Sequence, residues 1–304
     1  MSNAESVLQL LGQLVLKTPL LRVSSTPRGR SLTASLPLSA GQHLFSSPPL
    51  VAHPRAKQSP PLRLDRVCMQ CFAPSTAASV RDCQPCRMDK LLMHSLKQHH
   101  KQVRTTATTS ATPSLTHSPS STPSSSSTEA SRYEPMVNKL AFRLCRELRD
   151  GYENTNYLLN LLACPDMPPS LTHSLTDQLE LLRTQLTEVG MKEQADSFLT
   201  LEWYSRALGV LHLNTIGTPI GSALYDDISF INHSCTPSVG LIFEGMRATV
   251  VCLRDIKANE ELFINYVELD AEKGNWSHEK VQETLKHNYG FDCSTTCSCG
   301  KIQC

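Results

Sequence analysis

Eight of the twelve cysteines stand in two clusters at spacings that suit a metal ion. The first cluster has two C-x-x-C pairs and the second ends in C-x-C-x4-C; their members are Cys68, Cys71, Cys83 and Cys86, then Cys293, Cys297, Cys299 and Cys304. Four thiolates close a tetrahedral zinc site, and clustered thiols favour zinc over disulfides in a reducing compartment. One structural zinc is therefore predicted for the first cluster, against the alternative of two unrelated reduced pairs.

A polar run within residues 217–266 is the other candidate for chemistry. Its four residues from Asn232 to Cys235 lie ahead of two runs that alternate apolar and polar side chains, 239–243 and 248–253, and the stretch ends at Tyr266. That alternation predicts short β-strands. A tyrosine at the end of a strand is ordinarily a half-buried packing residue, so a chemical role for Tyr266 depends on its neighbours.

The stretch resembles the C-terminal half of a SET domain, the lysine methyltransferase module. Residues 229–237 are similar to that family's asparagine–histidine motif, residues 255–262 to its acidic turn, and Tyr266 falls at the position of its catalytic tyrosine. Upstream, Gly29-Arg30-Ser31 resembles the family's first cofactor motif, with Ser31 where a second glycine is usual. A glycine beside an arginine lets backbone amides approach a carboxylate that the arginine neutralises.

The resemblance implies an enzyme that transfers a methyl group from S-adenosylmethionine to a lysine of a protein or peptide, histone or non-histone. In the family the positions of Asn232 and of the His233 backbone hold the cofactor's amino-acid end and adenine edge. The position of Arg30 holds the cofactor's carboxylate, and that of Tyr289 or Phe291 holds its ring face. His233 equally suits a satisfied core residue, so both roles stay open for it.

Methyl transfer from a sulfonium to an amine is a single in-line displacement. It requires alignment, exclusion of water and a neutral lysine, but no metal or strong base at the reacting centre. Tyr266 is therefore expected to be the catalytic residue, with a hydroxyl that orients the amine and the polarised methyl group. The competing hypotheses are a catalytically inactive, zinc-stabilised SET-fold scaffold and a methyltransferase of small amines.

The first cysteine cluster resembles the zinc finger of the SET and MYND family, which is inserted between the first SET strands and holds two zincs. The second half of that finger, an aromatic–cysteine pair with a terminal histidine and cysteine, is missing here. One zinc is expected for that reason. The basic stretch that follows predicts an exposed helix, in which His94, His99 and His100 are not ligands.

The C-terminal cysteines resemble a post-SET zinc motif. Tyr289-x-Phe291-x-Cys293 is similar to the SET and MYND family's approach to that zinc, while the C-x-C-x4-C run supplies three thiolates. By resemblance, Cys235 of the asparagine–histidine motif is the natural fourth ligand. Five candidates for four places leave Cys293 and Cys297 in competition.

The elements that must position these residues form a mixed α+β fold, with a β-rich SET domain of short strands. Apolar residues recur at helical period between residues 133 and 213, which predicts helices. By resemblance to SET proteins, a helical insert of this sort covers one side of the substrate cleft. The expected boundaries are 18–67 for the N-terminal part of the SET domain, 68–104 for the zinc-knuckle insertion, 105–131 for a disordered Ser/Thr/Pro-rich linker, 132–213 for the helical insertion, 214–270 for the C-terminal SET core and 271–304 for the post-SET zinc segment.

Composition sets the remaining bounds. A net charge of +1 argues against general electrostatic binding to nucleic acid. The sequence has no run of about 18 apolar residues, so a membrane span is not expected. The prediction is a soluble intracellular protein of the nucleus or cytoplasm, monomeric, with S-adenosylmethionine and zinc as cofactors. Cys145, Cys164 and Cys252 lie in apolar surroundings and are predicted to be buried packing residues.

Overall fold

The computed structural model of the protein describes residues 18–26, 29–54, 126–149, 154–165, 172–267 and 278–293. Several residues singled out above lie outside this part of the chain: Cys68, Cys71, Cys83, Cys86, Cys297, Cys299, Cys304, His94, His99 and His100. The chain divides into two compact units. One takes Met1–Leu62 with Leu213–Cys304, and the other takes Arg63–His212.

The first unit is made of short strands, as the alternating sequence predicts. They are β1 (Leu21–Thr26), β2 (Gly29–Ala34), β3 (His43–Ser47), β4 (Val51–Pro54), β5 (Ile216–Thr218), β6 (Gly221–Leu224), β7 (Asn232–His233), β8 (Val239–Glu244), β9 (Arg247–Cys252) and β10 (Phe263–Ile264). The sheets have the orders β1-β2, β3-β9-β8 and β4-β6-β5, all antiparallel, while β7 and β10 form a parallel pair.

The β8–β9 hairpin shows why this sequence folds into strands. Glu244 pairs with Arg247 across a two-residue turn, where Gly245 adopts a φ of +61° that a residue without a β-carbon accepts freely. On β9 every second residue is buried, namely Ala248, Val250 and Cys252. One face of the hairpin therefore belongs to the core, and β3 pairs with the outer edge of β9.

Strand β2 pairs with the segment just before β10 and so holds together the two parts of the chain that form this unit. The Leu262 N–H donates to the Leu32 carbonyl at 2.8 Å, and the Ala34 N–H donates to the Glu260 carbonyl at 2.9 Å. Asn259 takes a left-handed φ of +66° in the turn that makes this pairing possible, a conformation that asparagine tolerates better than most residues. The residues just before β10 are thereby fixed beside Leu32 and Ala34, on the strand that also carries Gly29 and Arg30.

The second unit is helical, with α1 (Ser126–Arg149), α2 (Asn154–Leu161), α3 (Thr172–Glu188), α4 (Lys192–Phe198) and most of α5 (Leu201–Asn214). The apolar stripes predicted from the sequence are buried except for Leu148 of α1, which is half-buried: Val137, Leu140 and Leu144 on α1, and Leu175, Leu179, Leu182 and Leu186 on α3. Glu147 of α1 contacts α2. Its carboxylate pairs with Arg143 of the same helix and accepts the N–H of Thr155 of α2 at 3.2 Å.

A last helix, α6 (His278–Tyr289), belongs to the first unit. Its Leu285 is fully buried and forms an apolar cluster with Val267 and Cys293. Burial of a leucine side chain typically contributes about 1.5–3 kcal/mol, so this contact alone is a substantial anchor for the C-terminal segment. Val281, Tyr289 and Phe291 pack around it.

Three details differ from the sequence-based expectations. Residues 126–131, expected in the disordered linker, are the first residues of α1. The helical pattern that runs on to residue 213 is broken between α4 and α5, because the Thr200 hydroxyl accepts the Trp203 N–H at 3.1 Å and caps a new helix. Cys145 and Cys252 are buried as predicted, but Cys164 is only half-buried, with its thiol against the Pro165 and Arg206 carbonyls.

Among the described helices, none has the length and apolar character that crossing a lipid bilayer requires.

Candidate active site

The parallel pair of β7 and β10 brings the asparagine–histidine motif next to the segment that ends in Tyr266. Asn232 lies opposite Phe263 and His233 opposite Ile264. The Ser234 N–H extends the pairing by donating to the Ile264 carbonyl at 3.0 Å. Two residues beyond β10 the chain reaches Tyr266, which therefore stands beside His233.

Tyr266 is held at its backbone and at its ring tip. Its backbone N–H donates to Nδ1 of His233 at 3.0 Å, and its hydroxyl donates to the Ile231 carbonyl at 2.9 Å. Burial raises the pKa of Tyr266 well above its usual range, and the nearby Tyr289 and Glu261 add to that rise. The side chain is therefore a neutral phenol at physiological pH, and its oxygen keeps lone pairs to accept further hydrogen bonds.

His233 is buried, and its surroundings fix which ring nitrogen carries the proton. Burial lowers the pKa of His233 to about 4, so the imidazole is neutral. Because Nδ1 accepts the Tyr266 N–H, the remaining proton resides on Nε2, which lies 3.4 Å from Sγ of Cys235. His233 is thus a satisfied core residue that connects the tyrosine segment to a thiol.

Four aromatic rings close around this point. The ring centroids are 5.2 Å apart for His233 and Tyr266, 4.9 Å for Tyr266 and Tyr289, 6.2 Å for Tyr289 and Phe291, and 5.8 Å for Phe291 and His233. These separations are typical of packed aromatic pairs in tilted or edge-on arrangements. The C-terminal aromatics singled out from the sequence therefore lie against the tyrosine and histidine of the central motif.

Asn232 has a side-chain amide with defined partners. Its Nδ2 donates to Oε1 of Glu261 at 2.8 Å and to the Arg30 carbonyl at 3.3 Å. Arg30 is half-buried on β2, and its guanidinium carbon lies 6.0 Å from the ring centroid of Phe230. The two cofactor motifs expected from the sequence are therefore in direct contact through Asn232 and Arg30.

Ser31, which stands where the SET family usually has a glycine, is fully buried. Its hydroxyl has no hydrogen-bond partner within the described part of the chain. A buried hydroxyl without a partner carries a desolvation cost, so serine at this position is not neutral for the strand that carries Arg30.

The thiols of Cys235 and Cys293 approach each other to 3.5 Å. That separation is far longer than a disulfide, and it approaches the value of about 3.8 Å for two thiolates on one tetrahedral zinc. With Nε2 of His233 they form a group of three ligand atoms within 4.8 Å. The two thiols fit a metal, whereas His233 does not, because a metal-bound histidine normally donates its other ring N–H and here Nδ1 accepts one.

Two residues of the site were missed by sequence reasoning. Glu261 was seen only as part of the acidic turn, although its carboxylate holds Asn232. Asp227 was not considered: it is buried, and its Oδ1 accepts the Ile228 N–H at 2.8 Å at the start of the turn that leads to Ile231. A signal existed for Asp227, since an aspartate ahead of a short helical turn is a frequent cap.

Known proteins are similar to the chain in sequence and in structure. The SET domain family matches residues 29–267. The histone-lysine N-methyltransferase ATXR4 of Arabidopsis thaliana is 25% identical over 308 residues, which covers 91% of this chain and 85% of that protein. Human SMYD3, also a histone-lysine N-methyltransferase, is 25% identical over 288 residues, or 90% of this chain and 59% of its own length.

Other likenesses are shorter or more distant. The N-lysine methyltransferase SMYD2-A of Danio rerio is 36% identical over 74 residues, 24% of this chain and 16% of that protein. A solved structure of Rubisco LSMT bound to AdoMet aligns with 96% of this chain and 57% of its own, at 16% identity and a TM-score of 0.41. Because the family match spans well over half of its length, the chain belongs to the SET domain family.

Proposed function

We propose that the protein is an S-adenosylmethionine-dependent protein-lysine N-methyltransferase. The observation that carries the proposal is the meeting of β7 and β10, which places Asn232, His233 and Tyr266 side by side with their polar groups held. The names of the curated relatives, histone-lysine or N-lysine methyltransferases, support the same activity. Substrates among histones and other proteins follow from those names, and nuclear or cytoplasmic action follows from such substrates.

The residues at the site suit the cofactor. A sulfonium cofactor with an amino-acid end needs a hydrogen-bond acceptor for its ammonium, a cation for its carboxylate and an apolar face for its adenine. Asn232, Arg30 and the pair Tyr289 and Phe291 offer these groups, and the first two are in contact. The half-burial of all four leaves them accessible to a ligand.

Tyr266 is the proposed catalytic residue. When S-adenosylmethionine is bound it supplies a sulfonium methyl group, so that a nitrogen–carbon bond forms, the carbon–sulfur bond breaks toward sulfur, and the lysine proton leaves to solvent. Because the Tyr266 hydroxyl already donates to Ile231, its lone pairs are what it presents to the reactants. It thereby accepts an N–H of the neutral lysine and orients the nitrogen along the line of attack.

We also propose a structural zinc that Cys235 and Cys293 hold together with cysteines of the C-terminal run. The 3.5 Å separation of their sulfurs supports Cys293 as a ligand beside Cys235. A second zinc on Cys68, Cys71, Cys83 and Cys86 stays a prediction from spacing, since these residues lie outside the described chain. Zinc would supply no chemistry at Tyr266 and would tie the end of α6 to β7.

Calorimetric titration of the purified full-length protein with S-adenosylmethionine and S-adenosylhomocysteine tests the cofactor, and transfer of labelled methyl to histones and to a cell lysate tests the reaction. Both ligands should bind, and labelled lysine should appear after acid hydrolysis of the product. Replacement Asn232→Ala should weaken binding of both ligands about tenfold or more. A folded, zinc-loaded protein that binds neither ligand would refute the enzyme and favour the scaffold.

A further inference from the structure

The amide of Asn232 has two sides, and only one of them suits a cofactor ammonium. The oxygen Oδ1 accepts hydrogen bonds, whereas Nδ2 only donates them. A flipped amide would present two N–H groups to a cation and repel it. Whatever fixes the orientation of this amide therefore decides whether Asn232 can serve the cofactor at all.

The partners of Nδ2 in the structure are both pure acceptors. One is the carboxylate oxygen Oε1 of Glu261 at 2.8 Å and the other is the Arg30 carbonyl at 3.3 Å. In the flipped orientation Oδ1 would face these two oxygens, and both contacts would be repulsive. The bond to Glu261 is the shorter one and is assisted by charge, so the carboxylate makes the larger contribution.

We infer that Glu261 is a positioning residue: its carboxylate fixes the amide of Asn232 so that Oδ1 points to the cofactor's ammonium group. The inference rests on the proposed function and adds to it a residue that touches neither the cofactor nor the lysine. Its effect on the cofactor is exerted through Asn232.

The backbone around Glu261 is rigid enough for this task. Glu261 itself forms an antiparallel bridge with Thr33 of β2, and both neighbours are hydrogen-bonded to the same strand, Glu260 to Ala34 and Leu262 to Leu32. Asn232 in turn is paired with Phe263. The carboxylate and the amide therefore approach each other from backbone segments that are held independently of the contact between them.

The adjacent Glu260 provides a matched control. Its carboxylate is occupied elsewhere, by Arg254 at 2.6 Å and by the Lys257 N–H at 2.9 Å, at the exposed acidic turn. Glu260→Met removes a carboxylate one residue away without touching Asn232. Its effect on ligand binding should stay within about twofold, whereas the same replacement at Glu261 should be selective and large.

The test compares two ligands by calorimetry on the full-length, zinc-loaded protein. S-Adenosylhomocysteine carries the ammonium group, and methylthioadenosine lacks the whole amino-acid end. Glu261→Met should weaken S-adenosylhomocysteine about tenfold or more and leave methylthioadenosine within about twofold. Glu261→Gln keeps an acceptor oxygen and should lie within about threefold of wild type for both ligands. In an Asn232→Ala background, Glu261→Met should have no further effect on either ligand.

Three results would overturn the inference. Equal weakening of both ligands by Glu261→Met would make the residue structural. A Glu261→Gln loss as large as that of Glu261→Met would mean that the charge attracts the ammonium directly. An undiminished effect in the Asn232→Ala background would separate Glu261 from Asn232. Should Glu261→Met not fold, Glu261→Ala decides by the same criteria. Failure of wild type to bind either ligand would instead remove the proposed function, and this inference with it.

Discussion

Tyr266 and Ile231 show how a single contact fixes the geometry of the proposed reacting centre. The hydroxyl of Tyr266 donates to a main-chain carbonyl, and the carbonyl belongs to the residue just before Asn232. A hydroxyl anchored in this way has one position and little freedom, and fixed polar groups contribute most to catalysis because they need no reorganisation during the reaction. The ring, by contrast, only packs against His233 and Tyr289.

Tyr266→Phe should therefore separate catalysis from cofactor binding. The ring and its packing are retained, while the bond to Ile231 and the oxygen proposed to accept from the amine are lost. Turnover should fall about a hundredfold, on the order of 3 kcal/mol, with cofactor affinity within about threefold of wild type. Turnover and calorimetric affinity measured side by side check this expectation.

Tyr225→Phe is the matched control for that experiment. Tyr225 is buried in the same unit, and its hydroxyl donates at 2.6 Å to the carbonyl of Met246, in the turn of the β8–β9 hairpin. Loss of this hydroxyl should lower stability by about 1 kcal/mol without changing turnover per folded molecule. A Tyr266→Phe enzyme as active as the control would leave the hydroxyl of Tyr266 without a catalytic role.

His233 provides a second test at this scale, because its nitrogen assignment opposes metal ligation. In cobalt-substituted protein, the sulfur-to-metal charge-transfer absorption reports how many thiolates bind each ion. His233→Ala should leave the absorption per bound cobalt unchanged but weaken the metal about 10–100-fold, as loss of an outer partner of a ligand typically does. A shift in the ligand-field bands of the variant would show that His233 binds the metal itself.

At the scale of elements, the short helical turn Ile228–Phe230 connects a buried carboxylate to the site. Asp227 caps this turn through the Ile228 N–H, and the turn delivers Ile231, the partner of the Tyr266 hydroxyl. Burial raises the pKa of Asp227 to about 7; the neighbouring Asp226 adds to the rise, and hydrogen bonds from Ser47 and Ile228 oppose it. A protonated or half-protonated aspartate thus caps the turn near neutral pH.

The pH dependence of stability follows from this shift. The pKa of Asp227 rises from an ordinary 3.8 to about 7 on folding, so the folded protein holds a proton that the unfolded chain has released. The stabilisation that this proton gives the folded protein is fully present below about pH 4 and is lost as the pH rises through about 7. Asp227→Asn should remove that dependence and stabilise the protein at pH 8 by on the order of 2 kcal/mol relative to wild type.

Thermal melts of wild type and Asp227→Asn between pH 5 and pH 8 measure the difference directly. The two curves should approach each other at pH 5 and diverge toward pH 8. Glu244→Gln, at an exposed carboxylate of the β8–β9 hairpin, serves as the control and should follow wild type throughout. Parallel curves for wild type and Asp227→Asn would mean that Asp227 is already ionised at pH 5.

The sequence predicted elements better than it predicted their contacts. The strands β8 and β9 and the buried stripes of α1 and α3 follow from periodicity, and the structure confirms them. The family match confirms the SET fold that the motif residues indicated. The contact between Glu261 and Asn232 joins residues that lie 29 positions apart in the sequence, and a local sequence pattern does not predict such a pairing. The break before α5 depends on a single capping residue, Thr200, and the apolar pattern around it indicated a continuous helix instead.

At the scale of the molecule, the first unit is assembled from the two ends of the chain. Strand β2 pairs with the segment before β10, β3 with β9, and β4 with β6. The middle of the chain is therefore topologically an insertion into this unit. The end of α6 is connected to the β7 region by the apolar cluster of Leu285, Val267 and Cys293, by the packing of Tyr289 and Phe291 on Tyr266 and His233, and by the approach of two thiols.

Zinc content tests that connection. We expect two zincs per chain by metal analysis, one on the C-x-x-C pairs and one that Cys235 shares with the C-terminal cysteines. Cys235→Ser should release one zinc and leave the other, because the two ligand sets share no residue. Removal of that metal should also speed proteolysis near α6, since binding of a structural zinc contributes free energy to folding.

The matched control is Cys252→Ser, at a buried cysteine of β9 outside both clusters, which should cost some stability but no zinc. Three zincs per chain would mean that the first cluster forms a complete two-metal finger, and unchanged zinc in Cys235→Ser would exclude Cys235 as a ligand.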